Sequence, residues 1–348
     1  MERRIVSRWR EKVERGFHSH SVDRVTARAH FVDDHILALD SGDQVTGDFI
    51  LIATGSSPRP MDFAPVDGQR IHDSDSILRI AEIPETLIIL GGGVIACEYA
   101  SIMQALGVQV TLYNSQTRLL GWLDEEAALL LESIFEQAGM VIHHGARAVA
   151  TSQNDKCIRV QLDDGTMAQA DMCFLGLGRT PNTQNLGLDA AGVAVDARGA
   201  IAVDGFMRTN VPHIYAAGDC TSYLHPFAGK PVRLESVQNA NDQGRSAAAA
   251  IANNPKPYVN IPWFWSIQYD VKLQLVGLRE GCDETVQSGK MAANNFSLFH
   301  FRNRQLRAVE SVNRPIDYIQ ARKILAAGIS PSPEEVADKN FNLKDFTT

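Results

Sequence analysis

Residues 87–100 read LIILGGGVIACEYA: four apolar residues, three glycines, then small and apolar residues around Glu98. The apolar run has the pattern of a strand buried on both faces, as a parallel sheet requires. Ile95, Tyr99, Ile102 and Leu106 recur at intervals of three or four up to Gly107, which predicts an amphipathic helix carrying those four on its inner side. Val108–Tyr113 is the next strand, so the segment is a βαβ unit. Its turn, Gly91-Gly92-Gly93-Val94-Ile95-Ala96, has the spacing G-x-G-x-x-A. Gly91 permits the tight turn, Gly93 lets backbone amides approach a pyrophosphate, and Ala96 lets helix and strand pack closely. The helix N-terminus favours the anion. Between a buried strand and a helix, this spacing reads as a dinucleotide site, with Gly91, Gly93, Val94 and Ile95 against the nucleotide.

NAD sites usually carry an acid at the end of the second strand, where it binds the adenosine ribose. Asn114 stands there. Being neutral, it neither repels nor clamps a 2′-phosphate, so the site reads as permissive toward NAD and NADP. Arg118 is placed either to approach such a phosphate or to lie in solvent. Glu98 has two readings as well: an acid favoured by the helix dipole, or a charge beside the nicotinamide.

A chain of 348 residues predicts two or three domains. With 45% hydrophobic and 21% charged residues it is a folded globular protein. A net charge of −8 argues against nucleic-acid partners, and no apolar run is long enough for a bilayer. The Arg-rich start has Glu2, Glu11 and Glu14 interspersed, which reads as a solvated helix rather than a transit peptide, so a cytoplasmic location is expected. Cys97, Cys157, Cys173, Cys220 and Cys282 are too dispersed for a metal site and read as reduced, packed thiols.

Elsewhere, residues 48–54 predict a short buried strand. A helix is expected from Asp124 to Gly139 with Leu129, Leu130, Ile134 and Phe135 inside, followed by short strands to residue 175 with a turn at Asp163-Asp164-Gly165. Pro255, Pro257 and Pro262 suggest a linker, strands follow to Val312, and a helix spans Asp317–Ala327. Pro331 and Pro333 are expected to open a solvated tail.

Four motifs, ATGSSPRP (53–60), GGGVIACEYA (91–100), GLGRTPNT (176–183) and TNVPHIYAAGDC (209–220), occur in the order of the pyridine nucleotide–disulfide oxidoreductase superfamily, the two-dinucleotide flavoproteins. Residues 16–220 most resemble the soluble pyridine nucleotide transhydrogenase branch, through AHFVDDHILALD, IHDSDSIL and the asparagine of NSQTRLLGWLD. Residues 233–348 resemble the ferredoxin- and rubredoxin-reductase branch instead, through RLESVQNANDQGRSAA, PWFWSIQYDVKLQLVGL and VNRPIDYIQARKILAAG. The resemblance implies an α/β fold. A Rossmann-like NAD(P) domain (81–189) would be inserted in an FAD domain (1–80 and 190–254), with a small α+β C-terminal domain (255–348). No strand–glycine–helix unit for the FAD pyrophosphate precedes ATGSSPRP, so the FAD domain is expected to be incomplete.

Carried over residue by residue, the resemblance places Gly178 with the NAD(P) set. It places Thr54, Gly55, Gly218, Asp219, Glu235, Gln238 and Trp265 with FAD: Asp219 on the ribityl chain, Glu235, Gln238 and Trp265 near the isoalloxazine. Val237 stands where the reductases often have tryptophan. The His–Glu pair of disulfide reductases is not found after His300. The implied activity is an FAD-dependent NAD(P)H oxidoreductase, most like a transhydrogenase, with no side-chain acid, base or nucleophile. The alternatives are a ferredoxin or rubredoxin reductase, and a nucleotide-binding fragment without catalysis. The implied partners are nicotinamide nucleotides, a ferredoxin or rubredoxin, and either a second copy or a separate chain carrying the first FAD unit.

Overall fold

The computed structural model describes residues 2–347. The charged N-terminal stretch is a largely exposed helix, α1 (Glu2–Ser19), with an Arg24–Glu14 ion pair at 2.9 Å. Strands β1 (Ala29–Phe31), β2 (Ile36–Leu39) and β3 (Gln44–Thr46) form an antiparallel meander. Asp33 makes its first turn, accepting the N–H groups of His35 and Ile36 at 2.8 and 2.7 Å. Strand β4 (Ile50–Ile52) is shorter than residues 48–54, and it is buried on one side only, with Ile52 inside and Leu51 exposed.

After β5 (Ser56–Pro58) and β6 (Ile71–His72) comes the glycine unit: β7 (Thr86–Leu90), α2 (Val94–Ala105) and β8 (Gln109–Asn114). Leu87, Ile88, Ile89 and Leu90 are all buried, because β7 is the central strand of a parallel sheet. The inner face of α2 differs from the expectation. Ala96, Cys97, Ala100 and Met103 are buried, whereas Ile102 and Leu106 are about half exposed. A helix that follows a glycine turn must lie close to its sheet, so small side chains occupy the contact. Helix α3 (Glu125–Gln137) starts at the Asp124 cap, whose carboxylate accepts the Glu126 N–H at 3.1 Å. Here Leu131 and Phe135 are buried and Leu129 is exposed.

Strand β9 (Val141–His144) adds the sheet's outer edge. Strands β10 (Ala148–Gln153), β11 (Ile158–Leu162) and β12 (Met167–Ala170) form an antiparallel sheet turning at Gly165. Then β13 (Met172–Leu175) enters between β6 and β7, giving the parallel order β6-β13-β7-β8-β9. Strand β14 (Arg179–Pro181) pairs with β5, joining the two passages of chain out of this sheet.

Strands β15 (Ile201–Val203), β16 (Ile214–Ala216), β17 (Thr221–His225) and β18 (Lys230–Val232) follow; β16 lies parallel to β4, and β17 lies between β15 and β18. Helix α4 (Val237–Ile251) is capped by Ser236, which accepts the Asn239 N–H at 3.1 Å. The C-terminal sheet has strands β19 (Trp263–Gln268), β20 (Val271–Gly277), β21 (Glu284–Lys290), β22 (Asn295–Arg302) and β23 (Gln305–Val312), antiparallel in the order β19-β20-β23-β22-β21. Helices α5 (Pro315–Ala326) and α6 (Pro333–Ala337) cover it.

The segment after Pro331 is not a solvated tail. Ser332 and Glu335 form a reciprocal capping box that starts α6, and Val336 and Leu343 are buried with Phe341 and Phe346 against them. Four apolar side chains spaced along a short segment are worth burying, and Pro331 and Pro333 are buried with them. Among the described residues, no helix is long and apolar enough to cross a membrane.

Candidate functional site

The turn after β7 is fixed by close approach. Gly91 has φ +118°, and a Cβ there would lie 2.4 Å from the Gly176 carbonyl oxygen. Gly176 in turn touches Ala96, where its own Cβ would stand 2.7 Å from the alanine methyl. Gly93, the α2 N-cap, instead faces open space, and no side chain caps the helix. The first N–H groups of α2 are therefore free for an anion brought against Gly93.

That open space is a cleft of about 1800 Å³. Gly91, Gly93, Val94, Ile95, Asn114, Arg118 and Gly178 line one part of it. Gly55, Gly218, Asp219, Glu235 and Gln238 line another, so both residue sets share one space. Phe264 and Leu275 of the C-terminal sheet close the wall, and the loop 118–122 completes it.

Three expected site residues lie outside the cleft lining. Thr54 donates to the Asn182 carbonyl at 2.7 Å while Asn182 Nδ2 returns a bond to the Thr54 carbonyl at 2.9 Å, a clip between the two chain passages. Glu98 turns toward the C-terminal sheet and accepts from the buried Ser266 hydroxyl at 2.7 Å. Trp265 is about half exposed, and its strand neighbours Trp263 and Phe264 line the cleft in its place. Phe264 meets Trp122 edge-on at 5.1 Å.

At the end of β8 Asn114 is buried and engaged. Its Nδ2 donates to the Arg118 carbonyl at 2.7 Å, and its Oδ1 accepts the Gln116 N–H at 3.2 Å. The exposed groups there are Ser115, Gln116 and Arg147. The buried Nε of Arg118 has no hydrogen-bond partner among the described residues. Arg147 escaped the sequence reading because it follows β9, outside the glycine unit that drew attention.

At the other end, Asp219 Oδ2 accepts from Ser56 at 3.0 Å, and Arg179 holds Ser56 through its hydroxyl and carbonyl at 2.8 and 2.6 Å. Arg233 donates to the Asp219 carbonyl at 2.7 Å and pairs with Glu235 at 2.5 Å. Gln243 orders the turn by accepting the Gly218 N–H at 2.7 Å. Gln238 Oε1 is buried beside the cleft without a partner among the described residues. An orphaned acceptor, a held carboxylate and free helix N–H groups fit a flavin ring with its ribityl chain and a nicotinamide dinucleotide. Among the described residues one strand–glycine–helix unit is present, that of β7 and α2.

Among the described residues, no thiol lines the cleft. Burial, reinforced by Glu132 and Glu98, raises the Cys97 thiol far above its usual range, and burial pushes Cys173 up to about 12. Both are inert thiols. Asp34, His35 and His213 also cluster, but the two imidazoles stack at 3.9 Å with 1° between their planes. Their in-plane lone pairs run parallel and do not converge on one ion.

The family model for pyridine nucleotide-disulphide oxidoreductases matches residues 4–244, and one described as Reductase C-terminal matches 263–347. The 5,5′-dehydrodivanillate O-demethylase ferredoxin reductase subunit of Sphingobium sp. is 37% identical over 281 residues, 79% of this chain and 67% of that protein. The crystal structure of the ferredoxin reductase for the CYP199A2 system of Rhodopseudomonas palustris superposes with a TM-score of 0.89 at 32% identity, covering 96% of this chain and 84% of that one. A soluble pyridine nucleotide transhydrogenase from Colwellia psychrerythraea is 37% identical over 71% of this chain but only 53% of its own length.

Proposed function

Since the chain belongs to the pyridine nucleotide-disulphide oxidoreductase family, an FAD-dependent NAD(P)H oxidoreductase family, we propose that it takes reducing equivalents from NADH or NADPH and delivers them to a small iron–sulfur protein of the ferredoxin type. One observation carries this reading: a single cleft runs from the uncapped N-terminus of α2 to Asp219 and Gln238, under the C-terminal sheet. FAD, when bound, supplies the conversion of a two-electron hydride into single electrons.

The chain's own residues bind and orient. Gly91 and Gly93 bring backbone amides to the nucleotide diphosphate, and Val94 and Ile95 wall the path toward Gly178. Arg118 and Arg147 face the adenosine ribose. Asp219 and Gly218 would hold the ribityl side of the flavin, with Gln238 and Glu235 beside its ring. The aromatic wall of Trp122 and Phe264 excludes water. In this reading residues 81–189 carry the nicotinamide nucleotide, 1–80 with 190–254 the flavin, and 255–348 close the cleft. The nicotinamide nucleotides it uses make the cytoplasm its place of work.

The ferredoxin-type acceptor is favoured over transhydrogenation by the C-terminal segment, which matches the reductase model along 263–347. The 37% identity to a soluble pyridine nucleotide transhydrogenase over 71% of this chain is the observation that favours transhydrogenation as the second reading. The test reconstitutes the purified chain with FAD and follows bleaching of the flavin band by NADH and NADPH. It then compares ferredoxin-dependent cytochrome c reduction with reduction of thio-NAD. Ferredoxin-dependent turnover supports the first reading and thio-NAD turnover alone the second; a bound flavin that neither nucleotide bleaches sinks both.

A further inference from the structure

We infer that Glu310, on the C-terminal sheet, is a positioning residue for the nicotinamide nucleotide, acting through the loop 119–124. This rests on the nucleotide site proposed above. Glu310 is 1% exposed, on β23 opposite Leu275, whose side chain lines the cleft. Both its carboxylate oxygens accept the Asp124 N–H, at 3.1 and 3.0 Å. Arg279 lies 3.7 Å from Glu310 and 3.7 Å from the Asp124 carboxylate, and donates to the Leu123 carbonyl at 2.6 Å. His300, equally buried, has Nε2 3.5 Å from Glu310, while its Nδ1 stands 4.0 Å from Asp124 and meets the Thr285 hydroxyl at 3.0 Å.

A largely buried cluster of two carboxylates, a partly exposed guanidinium and an imidazole is expensive to desolvate and is a weak source of stability. Its value here is geometric, because everything it holds is the backbone of one loop. At its other end that loop is tied to the glycine turn, since Leu120 donates its N–H to the Gly92 carbonyl at 2.8 Å, in a left-handed conformation with φ +45°. Between these two fixings lie Leu120, Gly121 and Trp122, all cleft-lining. Glu310 therefore fixes from outside the parallel sheet how closely this wall stands over Gly93, and the C-terminal sheet is coupled to nucleotide affinity.

The test measures Kd for NAD+ and NADP+ by calorimetry, and KM and kcat with a dye acceptor, in wild type, Glu310→Gln, Arg279→Ala and Ser297→Ala. Ser297 is a control on the same sheet: its hydroxyl bonds Asp317 at 2.8 Å and Ser311 at 3.0 Å in a separate buried cluster. Glu310→Gln keeps the shape and one acceptor oxygen but loses the charge that holds Arg279. Its Kd and KM should rise roughly tenfold, with kcat at saturation changed less than about twofold, the signature of lost binding shared by ground and transition states. Arg279→Ala, a partly exposed position that tolerates truncation, should give the same split, and Ser297→Ala should lower the melting temperature without moving Kd. Unchanged Kd in Glu310→Gln and Arg279→Ala overturns the inference, as does an equal loss in Ser297→Ala. A wild-type chain that binds neither nucleotide overturns the parent reading, a result distinct from both.

Discussion

Asn114 donates its side-chain amide to the backbone carbonyl of Arg118 at 2.7 Å, closing the loop after β8 on itself. The residue at the ribose-selectivity position is thus part of the loop's framework. Replacing it by aspartate puts a carboxylate oxygen against that carbonyl, two acceptors with no proton between them. Asn114→Asp should cost about 1–3 kcal/mol of stability, read by urea unfolding. It should leave the ratio of NADH to NADPH efficiency within about twofold, because the new charge points into the loop. A strong gain in NADH preference at unchanged stability would show that the side chain reads the ribose.

On the proposed nucleotide site, discrimination at the adenosine end then falls to the cations. Arg147 is exposed at the cleft, and no side-chain bond or ion pair holds it among the described residues. A 2′-phosphate would gain a charge-assisted contact that a 2′-hydroxyl does not. Arg147→Ala should lower kcat/KM for NADPH by roughly tenfold and for NADH by less than about threefold. The NADPH effect should shrink as salt is raised, since the site is open to solvent. Equal losses for both nucleotides would assign Arg147 to the adenine instead.

The glycines of the turn divide by function. Gly91 meets backbone on the side where a Cβ would go, and its φ of +118° is unfavourable for any side chain, so Gly91→Ala should destabilise by about 3 kcal/mol or more. Gly93 has extended backbone and open space, so Gly93→Ala should fold within about 1 kcal/mol of wild type. Its methyl would occupy the ligand's side of the turn, and nucleotide Kd should weaken by roughly tenfold or more. Thermal melts and calorimetry on the two variants check both halves. Parallel losses of stability would show Gly93 to be structural.

The strand, turn and helix at 86–105 were legible because a glycine spacing, an apolar run and a helical period all point the same way. The inner face of α2 was not. Periodicity weighs side chains by apolar size, whereas close approach at Gly176 and Ala96 selects for smallness, which put Ile102 and Leu106 outside. The segment after Pro331 misled for the reverse reason: two prolines and several charges read as solvent, while the capping box and four spaced apolar residues build a buried corner. Glu310 and Arg279 lie far from residue 124 in sequence, and no local pattern joins them to it. Only the packing of the C-terminal sheet on the loop before α3 brings them to the cleft wall.

Glu98 had two sequence readings, and the structure turns its carboxylate onto Ser266, a residue 1% exposed that also receives the Gln268 amide at 3.0 Å. Gln268 in turn accepts from Ser101 of α2, so the helix is fastened to β19 by a chain of side-chain bonds. Removing the carboxylate leaves the buried Ser266 hydroxyl without its acceptor, so Glu98→Ala should cost about 1–3 kcal/mol. Glu98→Gln, which keeps an acceptor oxygen, should recover most of that loss. Neither variant should change KM for NADH or NADPH by more than about twofold, because the side chain faces the sheet and not the cleft. Unfolding curves with steady-state kinetics on the pair decide the matter. A large rise in KM in Glu98→Gln, at normal stability, would instead place this carboxylate beside the nicotinamide during turnover.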